Sequence, residues 1–283
     1  MTRFVDCFLF NDELDLLEFR LTEHDPFTDY FILVESRKSF SARPKKLYAT
    51  ENITRYEKWK DKLIVVVLDD NEIKDKHGFM LEDYSRECAI KEVKRLRDEE
   101  YIDSHTLVSC VADTDEIFDK DKIDELKREV SENLQKPFKP LRPLFRFHYY
   151  SLQISRPKNP VWTPQKRLKI CKVSDLKYFT LVEIQAMIIT NMRNMGWHLC
   201  YFGSLELVVS KLKSFSHASM KEIKNVASNP NLIKERIENN KDIFGRDWES
   251  LHFKNPDKVP CNYDLLIKLN LDVYKTNVSS STI

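Results

Sequence analysis

Asp113 and Asp115 close the apolar run Thr106-Leu107-Val108-Ser109-Cys110-Val111-Ala112, and Glu116 follows directly. A short apolar run ending in acids reads as a buried strand that delivers charge to the rim of a sheet, where open α/β folds hold their ligands. In extended backbone, side chains two apart share a face, so Asp113 and Asp115 can together hold one hard divalent cation. In outline that is a site for a sugar diphosphate. A solvated acidic turn has the same local sequence, so the weight of the pair depends on the rest of the chain.

Glycine narrows the chemistry. Only Gly78, Gly196, Gly203 and Gly245 occur, and neither a P-loop nor a Gly-x-Gly-x-x-Gly pattern can be built from them. Any nucleotide diphosphate must then be neutralised by a metal ion and basic side chains. The 46 Lys+Arg and 45 Asp+Glu leave a formal charge of +1, so no global field recruits nucleic acid or an anionic membrane. Six dispersed cysteines without a Cys-x-x-Cys pair read as reduced thiols. No stretch is apolar for long enough to span a bilayer, which predicts a soluble, cytoplasmic protein; a Golgi-luminal domain freed of its anchor would read the same.

The elements that must position the acids follow from periodicity. Residues 4–10 form a first strand interrupted by Asp6, and Asn11 is placed to cap the helix after it. In that helix Leu14, Leu17 and Leu21 recur at helical spacing, with Glu13, Asp15, Glu18 and Arg20 on other faces. Residues 29–35 and 62–68 read as strands, and 81–100 as an amphipathic helix turning Tyr84, Cys88, Val93 and Leu96 inward. This alternation predicts an α/β fold with a mostly parallel sheet centred on residues 1–118. A helix near 119–134, a Pro-bearing loop at 136–143, antiparallel strands at 144–154 and 161–173, and a helix at 204–212 follow. Two of the four glycines fall in 194–203, which signals tight backbone geometry or close approach of a ligand.

Several blocks, in order, resemble glycosyltransferase family 17, the family of the β-1,4-mannosyl-glycoprotein 4-β-N-acetylglucosaminyltransferase. They are 6–21, Phe31-Ile32-Leu33-Val34-Glu35-Ser36 with Ser39-Phe40-Ser41, Tyr84-Ser85-Arg86-Glu87, and Asp113-Thr114-Asp115-Glu116-Ile117. Gly196-Trp197-His198 through Phe202-Gly203 to Glu206, then 211–217 and 241–246, complete the series. The chain departs from the family pattern at Phe118, where Pro is usual, and at Tyr84, where Trp is frequent. The resemblance implies a GT-A-like fold over 1–217; the polar, helical composition beyond it predicts a helical extension over 218–275 packed on that domain and a disordered tail at 276–283. The resemblance also implies Mn²⁺ (or Mg²⁺), a UDP-sugar donor, most simply UDP-N-acetylglucosamine, and inversion to a β-linked product on a glycan or glycoprotein acceptor.

Within that resemblance Asp115 is the direct metal ligand and Asp113 a second contact, through water or to the donor ribose; His198 and His217 are candidates for a third ligand or a diphosphate contact. Inversion needs a base on the acceptor hydroxyl. Glu206 is the first candidate, with Glu87 and Glu116 competing, although a carboxylate at a helix start is explained by the dipole alone. Arg86 and Lys211 suit phosphate oxygens, Glu35 suits uridine, and Trp197 suits a sugar face or the core. Glu13 and Arg20 match the first block, and an intrahelical or helix-to-loop ion pair explains them equally well. Two rival classes remain. One is a catalytically silent sugar-binding or assembly module; the other is a metal-dependent phosphodiesterase or nucleotidyltransferase, which needs more carboxylates than are visible.

Overall fold

The computed structural model describes residues 2–132, 139–155, 161–162, 168–178, 180–187, 190–246, 252–253 and 256–273. The chain opens with β1 (Phe4–Leu9), α1 (Leu14–His24), β2 (Tyr30–Glu35), α2 (Tyr48–Glu51), β3 (Leu63–Val67), α3 (Asp70–Ile73) and α4 (Gly78–Asp98). Three short strands follow, β4 (Leu107–Ser109), β5 (Ala112–Asp113) and β6 (Glu116–Phe118), then α5 (Lys120–Glu132) and β7 (Leu141–Tyr149). Next come β8 (Ile154–Ser155), β9 (Val161–Trp162), β10 (Ile170–Lys172), α6 (Asp175–Tyr178), α7 (Leu181–Ala186) and the long β11 (Thr190–Cys200). The last elements are α8 (Leu205–Ser214), α9 (Lys221–Ala227), α10 (Pro230–Glu238), β12 (His252–Phe253) and α11 (Tyr263–Lys268).

Strands covered on both faces read as near-continuous apolar runs, which is why β1 and β2 stand out in the sequence; β3, at the sheet edge, is half-buried. β1 pairs in parallel with β2, β4 and β5, and β2 with β3. The sheet runs β12-β8-β7-β10-β4-β1-β2-β3, while β11 lies parallel to β7 and antiparallel to β6. The architecture is α/β with a mostly parallel sheet flanked by helices, as the alternation of elements predicts. It extends well past residue 118, because β10 joins β4 to β7 and brings the later strands into the same sheet.

The period of two in β1 decides what each helix covers. Phe4 and Phe8 pack with Leu17 and Leu21 of α1 and Ile123 and Leu126 of α5; Val5, Cys7 and Leu9 pack with Ala89 and Val93 of α4. Asp6 shares the Phe4 and Phe8 side, under α1. One expectation changes here. Asn11 does not cap α1: the helix starts at Leu14, and Glu13 at the N-cap turns its carboxylate back to the amides of Asn11 (3.3 Å) and Asp12 (3.2 Å). Arg20, for which an intrahelical or helix-to-loop ion pair is one reading, is 0% exposed.

Gly196 shows why β11 requires a glycine. Its φ is +149°, and a Cβ there would lie 1.9 Å from the Ile117 carbonyl oxygen and 2.9 Å from the Asp119 nitrogen. The close approach is therefore of backbone to backbone, across the β6–β11 pairing. Gly196→Ala is expected to destabilise the protein by about 3 kcal/mol or more, since neither strand can yield. A urea titration followed by circular dichroism checks this, and an unchanged midpoint would refute it.

α8, α9 and α10 pack through Val208, Leu212, Val226, Ile233 and Ile237 on Phe147, Tyr149 and Tyr201. β12 pairs with β8, so the C-terminal segment adds a strand as well as helices. Residues 136–138 of the expected loop and the expected tail at 276–283 lie outside the described residues. No described helix is long and apolar enough to cross a membrane. All six cysteines are free, and the buried Cys110 and Cys171 sulfurs lie 3.1 Å apart.

Candidate active site

The acidic residues hang from the carboxyl end of β1. Asp113 pairs in register with Leu9, the Thr114 hydroxyl donates to the Leu9 carbonyl (2.6 Å), and the Leu199 amide of β11 donates to the Asp115 carbonyl (2.9 Å). The extended backbone expected from Thr106 through Asp115 is broken. Val111 has φ +61°, which a β-branched residue adopts only under strain of about 1–3 kcal/mol, and residues 114–115 form a turn. Asp113 and Asp115 consequently do not share a strand face; they reach different partners.

Asp113 accepts from Arg86 of α4 at 2.9 Å, and Arg86 also pairs with Glu82 at 3.0 Å and donates to the Val111 carbonyl. At 1% exposure Arg86 holds the loop and is not open to a phosphate. Burial pushes the Asp113 carboxyl up, with Arg86 opposing and Asp115 reinforcing the rise. Asp115 is 2% exposed, bonded to the Lys211 ammonium of α8 and 3.4 Å from the His198 imidazole of β11. Burial penalises its charge, yet Lys211 and His198 outweigh that and hold the carboxyl well below the usual range. His198, despite burial, is raised well above the ordinary imidazole range by Asp115. Glu116 accepts from the Asp113 amide at 2.9 Å, and burial, with Asp113 adding to it, pushes its carboxyl up to about 7.

Of two cavities nearby, the smaller adjoins this cluster and the larger is linked to it through side-chain bonds. The larger, of about 720 Å³, carries Arg43, Lys213 and Lys224 with Phe40 and Ser216 in its wall. The Ser216 hydroxyl bonds Glu82, which pairs with Arg86 and so connects this cavity to Asp113. The smaller, of about 210 Å³, is lined by Asp12, Glu13, Asp15, Arg55, Tyr201, Phe202 and Lys211, and Lys211 links it to Asp115.

Residues 1–258 match the family model described as Glycosyltransferase family 17. The chain belongs to glycosyltransferase family 17. This makes it a glycosyltransferase, with a sugar donor and an acceptor as its partners. No curated protein matches its sequence. Among solved structures it is similar to 4-diphosphocytidyl-2C-methyl-D-erythritol synthase, at 10% identity and TM-score 0.39, over 69% of this chain and 90% of that one.

Several residues singled out from the family 17 sequence have structural partners that use them fully. Glu35, 1% exposed, accepts from the Ala49 amide (2.9 Å) and from the Thr50 amide (3.2 Å) and hydroxyl (3.0 Å), so its carboxylate holds the start of α2 and not a uridine. Trp197 is 1% exposed and donates to the Lys258 carbonyl at 3.1 Å; it is a core residue and no sugar platform. His217 packs its ring 4.8 Å from Phe79, and no described contact joins it to Asp115. Glu206 is exposed in the first turn of α8 beside Ser204, Glu87 is exposed on α4, and neither lines the two cavities. Asp115, His198 and Lys211, by contrast, come together from three elements.

Among the described residues no three His, Cys, Asp or Glu side chains converge to hold a metal. Asp115 Oδ1 is nevertheless buried without a hydrogen-bond partner. An orphaned carboxylate oxygen, with the Asp113 carboxylate two residues before it, suits a hard cation that keeps most of its ligands as water. The basic lining of the larger cavity went unread in the sequence, because Arg43, Lys213 and Lys224 are scattered along the chain and only the fold gathers them.

Proposed function

We propose that this family 17 enzyme transfers a sugar from a nucleotide-diphosphate donor, most simply UDP-N-acetylglucosamine, to a glycan or other hydroxyl acceptor, with inversion and on a GT-A-like fold. The observation that carries the reading is the placement of the acidic turn. It lies at the carboxyl end of parallel strands, and side-chain bonds link it to a basic cavity through Arg86, Glu82 and Ser216 and to a carboxylate-lined one through Lys211. Arg43, Lys213 and Lys224 offer the cationic wall that a diphosphate needs in a chain without a glycine-rich loop. Asp113 and Asp115 would hold Mn²⁺ or Mg²⁺, which when bound supplies Lewis-acid stabilisation of charge on the departing phosphate. The smaller cavity then takes the acceptor, with Tyr201 and Phe202 against its ring and carboxylates for its hydroxyls.

For the base, geometry favours Glu13 over the exposed Glu206. Glu13 lines the acceptor-side cavity, two backbone amides fix its orientation, and burial pushes its carboxyl up, with Lys211 opposing. Glu13→Gln is expected to lower kcat by about 10²- to 10⁴-fold, whereas Glu206→Gln changes it by less than about twofold. A base acts deprotonated, so kcat should fall as pH drops through a value above the ordinary glutamate range, and this limb should vanish in Glu13→Gln. A pH–rate series on the three proteins decides between them.

The reading itself is tested by incubating the protein with Mn²⁺ and a panel of UDP-sugars and following UDP. Release from at least one is expected. Neither release nor binding across the panel would favour a silent sugar-binding module.

A further inference from the structure

Arg20 sits in the middle of α1 at 0% exposure, and a buried guanidinium is tolerated only where its charge and donors are matched. Asp6 of β1 matches the charge, accepting from Nη2 at 2.7 Å and from Nε at 3.0 Å. The remaining nitrogen, Nη1, donates to the carbonyls of Asp113 (3.0 Å), Thr114 (3.2 Å) and Glu116 (2.7 Å). One turn further along α1, His24 completes the set. Its Nδ1 lies 2.8 Å from Asp6, and its Nε2 lies 2.8 Å from the Phe118 amide. A backbone amide only donates, so Nε2 accepts and Nδ1 carries the proton toward Asp6.

Three carbonyls converging on one point repel one another unless a cation sits among them. The shape of the 113–116 turn is thus imposed by Arg20, and its exit strand is pinned by His24. Lysine cannot substitute: an ammonium has three donors and no planar fork, so it cannot grip both Asp6 oxygens and still reach the carbonyls.

We propose that Arg20 is a positioning residue for sugar transfer, gathering the Asp113, Thr114 and Glu116 carbonyls so that the Asp113 and Asp115 carboxylates stand where the donor's cation needs them. The inference rests on the reading of those acids as the donor site. Support shells of this kind change metal affinity or activity by about 10- to 100-fold when removed.

Arg20→Lys tests it by three measurements on the whole chain. Amide exchange at 113–118 should accelerate about tenfold while β2 and β3 keep their protection. Mn²⁺ affinity, read from the paramagnetic resonance of the free ion, should weaken about 10- to 100-fold, and acceptor KM should change by less than about twofold. Unchanged exchange and unchanged Mn²⁺ affinity would overturn the role, as would loosening spread evenly over β2 and β3, which marks general destabilisation. If Arg20→Lys does not fold, His24→Asn serves: asparagine can still donate to Asp6 but leaves the Phe118 amide without an acceptor. Faster exchange at 116–118 with weaker Mn²⁺ binding is then expected, and no change in either overturns the proposal. A wild-type protein inert toward every UDP-sugar would instead sink the donor-site reading, while the exchange and Mn²⁺ data would still judge Arg20.

Discussion

Asp115→Asn is expected to lower Mn²⁺-stimulated UDP release on the order of a thousandfold, the scale of losing a preorganised electrostatic contact at the reacting centre. The substitution keeps the shape of the side chain and removes its charge. Two cations lose their counter-ion, Lys211 directly and His198 at 3.4 Å. Lys211 retains 28% exposure and can be solvated, so the variant should remain folded. His198 is 7% exposed, and without Asp115 its imidazolium has lost the partner that raised it. Its titration, followed by NMR, should therefore drop toward or below the ordinary imidazole range. Full retention of turnover would remove Asp115 from the donor site, whereas lost turnover with an unshifted His198 would refute only the ion pair.

The parallel half of this fold is written plainly in the sequence because two-sided burial demands uninterrupted apolar runs, as in Phe4–Leu9 and Tyr30–Glu35. The acidic turn was legible for the same reason: Asp113 follows the last residues of such a run. What periodicity could not show was the break at Val111, since its left-handed φ is imposed by tertiary contacts that include the Arg86 bond to its carbonyl. β11 was also obscured. Asn191, Arg193, Asn194 and Gly196 are poor strand formers, and the segment is extended because β7 and β6 flank it. Least legible was the burial of Arg20, which helical spacing only sets apart from the Leu14, Leu17 and Leu21 stripe. A signal existed in Asp6: a carboxylate inside an apolar strand needs a buried cation, and the helix that covers its face must provide one. Glu206 shows the converse, a residue conspicuous by its place beside Gly203 that the fold turns outward.

Removing the charge of Asp6 should have the largest effect on stability of any single change at this site. Asp6→Asn leaves Arg20 buried at 0% exposure with no counter-charge, and breaking one side of such a pair costs about 3–5 kcal/mol. The pH dependence follows from linkage. Burial opposes ionisation of Asp6, but Arg20 and His24 outweigh it and hold the carboxyl well below its ordinary value of 3.8. The folded state therefore binds fewer protons than the unfolded chain, so this contribution is complete above the unfolded value and is lost as pH falls through the acid range. Urea midpoints measured at about pH 7 and about pH 3 should show a steeper acid loss in the wild type than in Asp6→Asn. Adding Arg20→Met tests the pairing itself. Both charges then disappear together, and the double variant should be less destabilised than the sum of the two single changes, by a coupling of about 1–3 kcal/mol. Strict additivity would mean that Asp6 and Arg20 stabilise the fold independently, and the turn at 113–116 would need another anchor.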